Sequence, residues 1–119
     1  SFGTIFSTPD CEIGRHVYIG AYCVISDSII QDDVLIGSQV HIISGKNAHG
    51  FEGQAIPIRL QPTSRSIVRV GTNTWIGNGA IIMANIGDGC ILGAATVVTK
   101  EIGNNSVAVG NPAKVIRDR

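Results

Sequence analysis

Aliphatic residues recur at six-residue intervals along this chain, and few folds can use so short a period. The anchors run Ile13, Ile19, Ile25, Ile30, Ile36 and Ile42, then Val70, Ile76, Ile82, Ile86, Leu92 and Val98. Glycine follows at Gly14, Gly20, Gly37, Gly71, Gly77, Gly87 and Gly93, while Val17, Cys23, Ile29, Val34, Val40, Thr74, Ala80, Cys90, Thr96 and Ile102 hold the fourth place after an anchor. A helix turns every 3.6 residues and a strand alternates every two, so a period of six points to a repeating coil. One hexapeptide cannot bury its own apolar side; stacking against neighbouring coils must do it. The expected shape is a prism faced by short parallel strands, with successive coils about 4.8 Å apart. Anchors point inward, and so do the fourth-place residues, near corners where room is short. Glycine after the anchor suits a corner that needs either φ > 0 or close backbone approach. At three hexapeptides per coil, the chain holds roughly five coils.

The rhythm breaks three times. The steps Ile25 to Ile30 and Ile82 to Ile86 are shortened corners, since the repeat resumes at once. Between Ile42 and Val70 it is lost. There, from about residue 45 to 66, the chain leaves the prism as a loop containing Gly45, Gly50, Gly53, Pro57 and Pro62. That exceeds the ~12 to 15 residues usual for idle connections, and such loops carry function. One domain covers 1–119, with a C-terminal tail from about 110, where Asn111-Pro112-Ala113 is the turn expected to end the prism.

Nine Lys and Arg balance nine Asp and Glu, so no basic stripe argues for nucleic acid. No apolar run approaches the ~20 residues of a membrane span, and no signal-like N-terminus is visible. The chain opens almost directly into repeat without the cap that solenoids commonly need, which suggests a longer protein or a partner. Cys11, Cys23 and Cys90 fall in the inward fourth-place register, Cys11 by counting back from Ile13, and their spacing lacks the paired C-x-x-C of zinc sites. Packing explains all three, and the odd count fits a reducing, cytoplasmic compartment.

The six-residue rule, Trp75-Ile76-Gly77, the run Gly93 to Lys100 and the ending Val109 to Arg117 together resemble the hexapeptide-repeat acyltransferases, in their sugar and xenobiotic O-acetyltransferase branch. Parallel crossovers are right-handed in most sheets, but this resemblance implies an all-β, left-handed parallel β-helix with one protruding loop. It also implies a homotrimer with active sites between subunits. The implied activity is transfer of acetyl from acetyl-CoA, a co-substrate, to a hydroxyl of a sugar or polysaccharide precursor, with no metal.

The resemblance carries over residue by residue. His49 matches the histidine that takes the acceptor's proton, a task that suits an imidazole. Phe51, Glu52, Arg59 and His41 are acceptor-side candidates; Glu52 either orients the imidazole or is an ordinary exposed carboxylate. Trp75 lies outward and serves as a wall of the pocket or as a subunit contact. Gly93, Ala94, Ala95 and Thr96 lie along the pantetheine groove. Lys100, Lys114 and Arg117 are candidates for the 3′-phosphate, with plain surface charge, or for Arg117 a frayed terminus, as the alternative. His16 is outward and solvated. Asn78 and Asn85 either meet ligand or bridge coils. A zinc hydratase resembling the γ-class carbonic anhydrases needs three histidines, two of them close in sequence, and His16, His41 and His49 lack that pair. A non-catalytic assembly solenoid is the third class.

Overall fold

A strand of two residues has almost no stability of its own, so each one here exists only as a rung paired to a like strand of the next coil, most of them on both sides. The computed structural model describes residues 1–43, 45, 50 and 53–119; His49, Phe51 and Glu52 lie outside the described residues. The first coil comprises β1 (Ile5–Phe6), β2 (Cys11–Ile13) and β3 (Tyr18–Ile19). The second is β4 (Val24–Ile25), β5 (Ser28–Ile30) and β6 (Leu35–Ile36), and the third β7 (His41–Ile42), β8 (Val68–Val70) and β9 (Trp75–Ile76). The fourth has β10 (Ile81–Ile82) and β11 (Ile91–Leu92), the fifth β12 (Val97–Val98) and β13 (Ser106–Val109), and β14 (Lys114–Asp118) ends the chain.

Like strands stack into three faces. The first sheet is β1-β4-β7-β10-β12, the second β2-β5-β8, and the third runs β3-β6-β9-β11-β13-β14. The second continues through single bridges, Val70 to Ile86 and Ile86 to Ile102. The coil winds as a left-handed β-helix, and coil-to-coil pairing is parallel and in register throughout.

Register puts like on like inside. Ile25, Ile42, Ile82 and Val98 line the first face, Ile30, Val70, Ile86 and Ile102 the second, and Ile36, Ile76, Leu92 and Ala108 the third, none more than 6% exposed. The fourth-place Cys23, Val34, Val40, Thr74, Ala80, Cys90 and Thr96 fill the corners at 0 to 1%. Their polar atoms are satisfied on the spot: Thr96 Oγ1 donates to Gly93 O at 2.7 Å, Cys23 Sγ to Gly37 O at 3.2 Å and Cys90 Sγ to Gly103 O at 3.1 Å.

Two details differ from the sequence reading, and the last strand adds a feature it did not address. Ile29 points outward, because shortening the preceding corner by one residue moves Ser28 and Ile30 to the inside. Ile102 occupies an anchor's position rather than a corner's. The final strand is antiparallel to β13, since the turn through Gly110 to Ala113 is too short to wind another coil.

Glycine and corner strain fall in different places. A Cβ added at Gly77 would stand 2.6 Å from the Ala94 nitrogen and 2.8 Å from the Gly93 carbonyl carbon, so the glycine after an anchor answers to close approach of the next coil. The left-handed residue is instead the third after the anchor: His16, Tyr22, Asp33, Gln39, Asn73, Ala95 and Asn105, with φ between 53 and 60°, plus Gly79 and Gly89. Hence Gly77→Ala should destabilise by about 1 to 3 kcal/mol through overpacking. Gly79→Ala, at φ 73° with nothing nearer than 4.0 Å, should cost only about 1 kcal/mol. Thermal melts of the two variants should rank them in that order.

Candidate active site

The insertion leaves the prism at the corner between the first and second sheets. Elsewhere this corner takes few residues: β4 is followed at once by β5, and β10 by Ile86. In the third coil the same corner holds everything between β7 and β8. Its described part is tied by its own backbone. Gly45 N–H donates to Ile43 O at 2.7 Å, Gly50 N–H to Pro62 O at 2.9 Å, and Gln61 Nε2 to Gly53 O and Ile56 O at 2.7 and 2.9 Å. A 3-10 turn, Ile58–Leu60, carries Arg59, which is exposed. His49 directly precedes the pinned Gly50.

His41 lies on the outer face of the first sheet, exposed, between Val24 and Ile81 in the register Ile5, Val24, His41, Ile81, Val97. His16 is at a different corner, with its Nδ1 3.4 Å from Asp33 Oδ1 and both side chains well exposed.

On the third sheet, an apolar column runs through Tyr18, Leu35, Trp75, Ile91 and Val107, paired strand to strand. Trp75 is 53% exposed and divides two surface cavities. One, of about 280 Å³, is bounded by Asp33, Leu35, Ile91 and Arg119. The other, of about 340 Å³, is bounded by Gly77, Asn78, Gly93 and Ala94. The second is a groove at the corner between the third and first sheets, one edge of the first sheet away from the insertion.

The side chain at the second place after the anchor decides which backbone donors this corner leaves open. At the corner between the second and third sheets, Asp32, Asp88 and Asn104 each accept, through Oδ1, the backbone N–H of the coil before: Arg15, Thr72 and Asp88 at 2.8 to 2.9 Å. At the groove corner, Ser38 Oγ does so for Ala21 at 3.1 Å and Asn78 Oδ1 for Ser38 at 2.9 Å. Next come Ala94 and, one coil on, Gly110, which have no side-chain oxygen. The ladder therefore stops, leaving the N–H groups of Asn78 and Ala94 without the side-chain acceptor their counterparts have. Asn78 and Asn85 bridge coils, Asn85 Oδ1 accepting from Arg69 N–H at 2.8 Å.

Of the remaining candidates, Gly93, Ala94 and the left-handed Ala95 form the groove corner, while the Thr96 side chain is buried, so only its backbone faces outward chemistry. Lys100 is exposed beyond β12, at the far corner of the first sheet. Lys114 and Arg117 are exposed on β14, opposite Val109 and Val107. Arg117 is thus held in a strand, continuing the column that contains Trp75. Arg119 was not legible in advance: its Nη1 reaches Gly89 O at 3.3 Å and Asn73 O at 3.4 Å, a staple across coils that no periodicity marks. No described helix is long and apolar enough to cross a membrane.

No family profile matches the chain. It is 37% identical over 109 residues to a protein named as a probable acetyltransferase of Mycobacterium tuberculosis, covering 90% of this chain and 35% of that one. The crystal structure of a maltose O-acetyltransferase from Clostridium difficile superposes with a TM-score of 0.82 at 30% identity, over 98% of this chain and 70% of that one. A galactoside acetyltransferase in complex with coenzyme A superposes at 0.77 with 28% identity, over 98% and 65%. The chain spans 35 to 58% of the length of the curated relatives it matches.

Proposed function

We propose, from the fact that this chain belongs to the hexapeptide-repeat acetyltransferase family, that it moves acetyl from acetyl-CoA to a hydroxyl of a sugar or polysaccharide precursor. The observation that carries this reading is the stopped ladder. Beside an exposed Trp75, the backbone donors of Asn78 and Ala94 open into a groove of about 340 Å³, which suits the amide carbonyls of a pantetheine arm. Arg117 stands three strand spacings from Trp75 along the same outer face, roughly 14 Å, a reach that suits the nucleotide end. Lys114 lies on the same strand, and Lys100 is the third cation of the set.

In this reading His49 takes the acceptor hydroxyl's proton as that oxygen bonds to the thioester carbonyl carbon. A backbone N–H meets the charge that develops on the carbonyl oxygen. When the C–S bond breaks, the imidazolium returns the proton to the departing thiolate, so no covalent enzyme intermediate is needed. Arg59, Phe51, Glu52 and His41 form the acceptor side.

The insertion and the groove lie on opposite edges of the first sheet, which supports an assembly in which one subunit's insertion meets its neighbour's groove. The exposed Tyr18, Leu35 and Trp75, at 57, 46 and 53%, are the apolar surface such a homotrimer covers. The free Cys11, Cys23 and Cys90 favour a reducing cytoplasm.

The test of the whole reading is turnover of acetyl-CoA with a panel of mono- and disaccharides, maltose and galactosides included, followed by thioester cleavage. His49→Ala should lower kcat by ~10² to 10⁴ while acetyl-CoA affinity stays within a few fold; a variant that keeps more than about a tenth of kcat would assign the base elsewhere, His41 first. Replacing Lys114 and Arg117 together by alanine should weaken CoA by ~10-fold or more and dephospho-CoA by far less; equal losses would move the phosphate site. Light scattering should return a trimer, and an active monomer would refute the shared site.

A further inference from the structure

Trp75 is the wall between two cavities, and the reaction just described uses only one of them. Strand alternation turns Ile76 into the core, fully buried, and Trp75 out, 53% exposed. On the outer face Trp75 is paired with Leu35 in the coil before and with Ile91 in the coil after, so aliphatic side chains flank the indole along the stack. Trp75 and Ile91 line both cavities. On one side of this wall is the groove of about 340 Å³, with Asn78 and Ala94. On the other is the cavity of about 280 Å³, lined by Leu35 and by the polar Asp33, Asn73 and Arg119.

With the nucleotide end at Arg117, opposite Val107 in the fifth coil, a pantetheine arm passes Ala94 in the fourth coil and reaches Asn78 in the third. The next N–H along that column, Ser38's, is already taken by Asn78 Oδ1 at 2.9 Å, so the run of open donors ends there. The thioester then rests at the level of the third coil, which is the coil of Trp75. Acyl carbons that continue along the third sheet meet the indole at once, and the second cavity lies beyond it. We propose that Trp75 sets the length of the acyl group: by closing the groove off from the cavity at Leu35 it confines the donor to acetyl, and its removal admits butyryl and hexanoyl thioesters. The claim rests on the acetyltransferase reading for the donor, and on the two cavities for the choice of residue. Size decides the case. A wall that meets an extra methylene discriminates by ~10- to 200-fold, whereas a vacated wall returns roughly 4-fold for each methylene it lets the site bury.

The experiment measures kcat/KM for acetyl-CoA, butyryl-CoA and hexanoyl-CoA with the fastest saccharide of the panel, in wild type, Trp75→Leu, Trp75→Ala and the double variant Trp75→Ala/Leu35→Trp. What is read is the ratio of butyryl to acetyl within each protein, in which a general loss of CoA affinity or of assembly cancels. Wild type should favour acetyl by ~100-fold. Trp75→Ala should bring the two donors to within about 4-fold of each other and accept hexanoyl-CoA as well, with Trp75→Leu, the milder cut, between them. Leu35→Trp in the alanine background refills the cavity from the coil before, and should restore a preference for acetyl of at least ~10-fold. A second arm needs no acceptor. Trp75 is the only tryptophan, so its emission should change as acetyl-CoA binds, with binding followed independently by calorimetry. A wild type that uses both donors alike, variants that keep the wild-type ratio, or acetyl-CoA bound with unchanged emission would each overturn the proposal and leave the acetyltransferase reading in place. Calorimetry that finds no binding of acetyl-CoA would remove that reading, and the proposal with it.

Discussion

Every coil of this chain is held by backbone hydrogen bonds to the coils next to it, and that spacing of about 4.8 Å dictates the rest. Two-residue strands can persist because each is a rung of a longer ladder. In-register stacking then forces the same side of every coil to be apolar, which produces the columns from Ile25 to Val98 and from Ile36 to Ala108. It forces a glycine after most anchors, because the next coil's backbone passes where a Cβ would be. It also strands an N–H at each tight corner, and the polar residue at the second place supplies the acceptor. Core, glycine and corner polarity are three consequences of one distance.

The three corners are not equivalent, and that inequality decides where chemistry can grow. Two of them use a tight turn with a left-handed third residue, whose length is constrained because the following strand must arrive in register. The third has no such turn and varies from coil to coil, so extra chain inserted there costs mainly loop-closure entropy, which rises slowly with length. The insertion occupies this permissive corner in the middle coil, flanked above and below by intact coils. Those neighbours give it a rigid base while leaving its length free.

Legibility followed periodicity. The anchors and most of the fourth-place corner residues were readable because each is a statement about spacing and volume. Ile29 was misread because a one-residue shortening reverses every side chain after it, and the sequence shows the shortening without saying which residue was lost. The left-handed third place escaped notice because seven of the nine residues there carry side chains, among them Tyr22 and Ala95, which do not advertise that conformation. Handedness came from resemblance alone. At the candidate site, spacing already turned Thr96 inward, whereas the missing oxygen at Ala94 has meaning only beside Ser38 and Asn78 in the same column.

That second place also shows how a repetitive scaffold becomes specific. Where the residue is Asp32, Asp88 or Asn104, its oxygen consumes the N–H of the coil before and the surface is sealed. Where it is Ala94, the same geometry leaves donors facing a groove beside Trp75. An open row of donors is therefore made here by withholding a side chain that the fold would otherwise use on itself. Restoring an oxygen at position 94 should then take up the Asn78 N–H without disturbing the coil, because the ladder on the neighbouring corner already accommodates that geometry coil after coil, while the Ala94 N–H, whose acceptor would have to come from position 110, stays open.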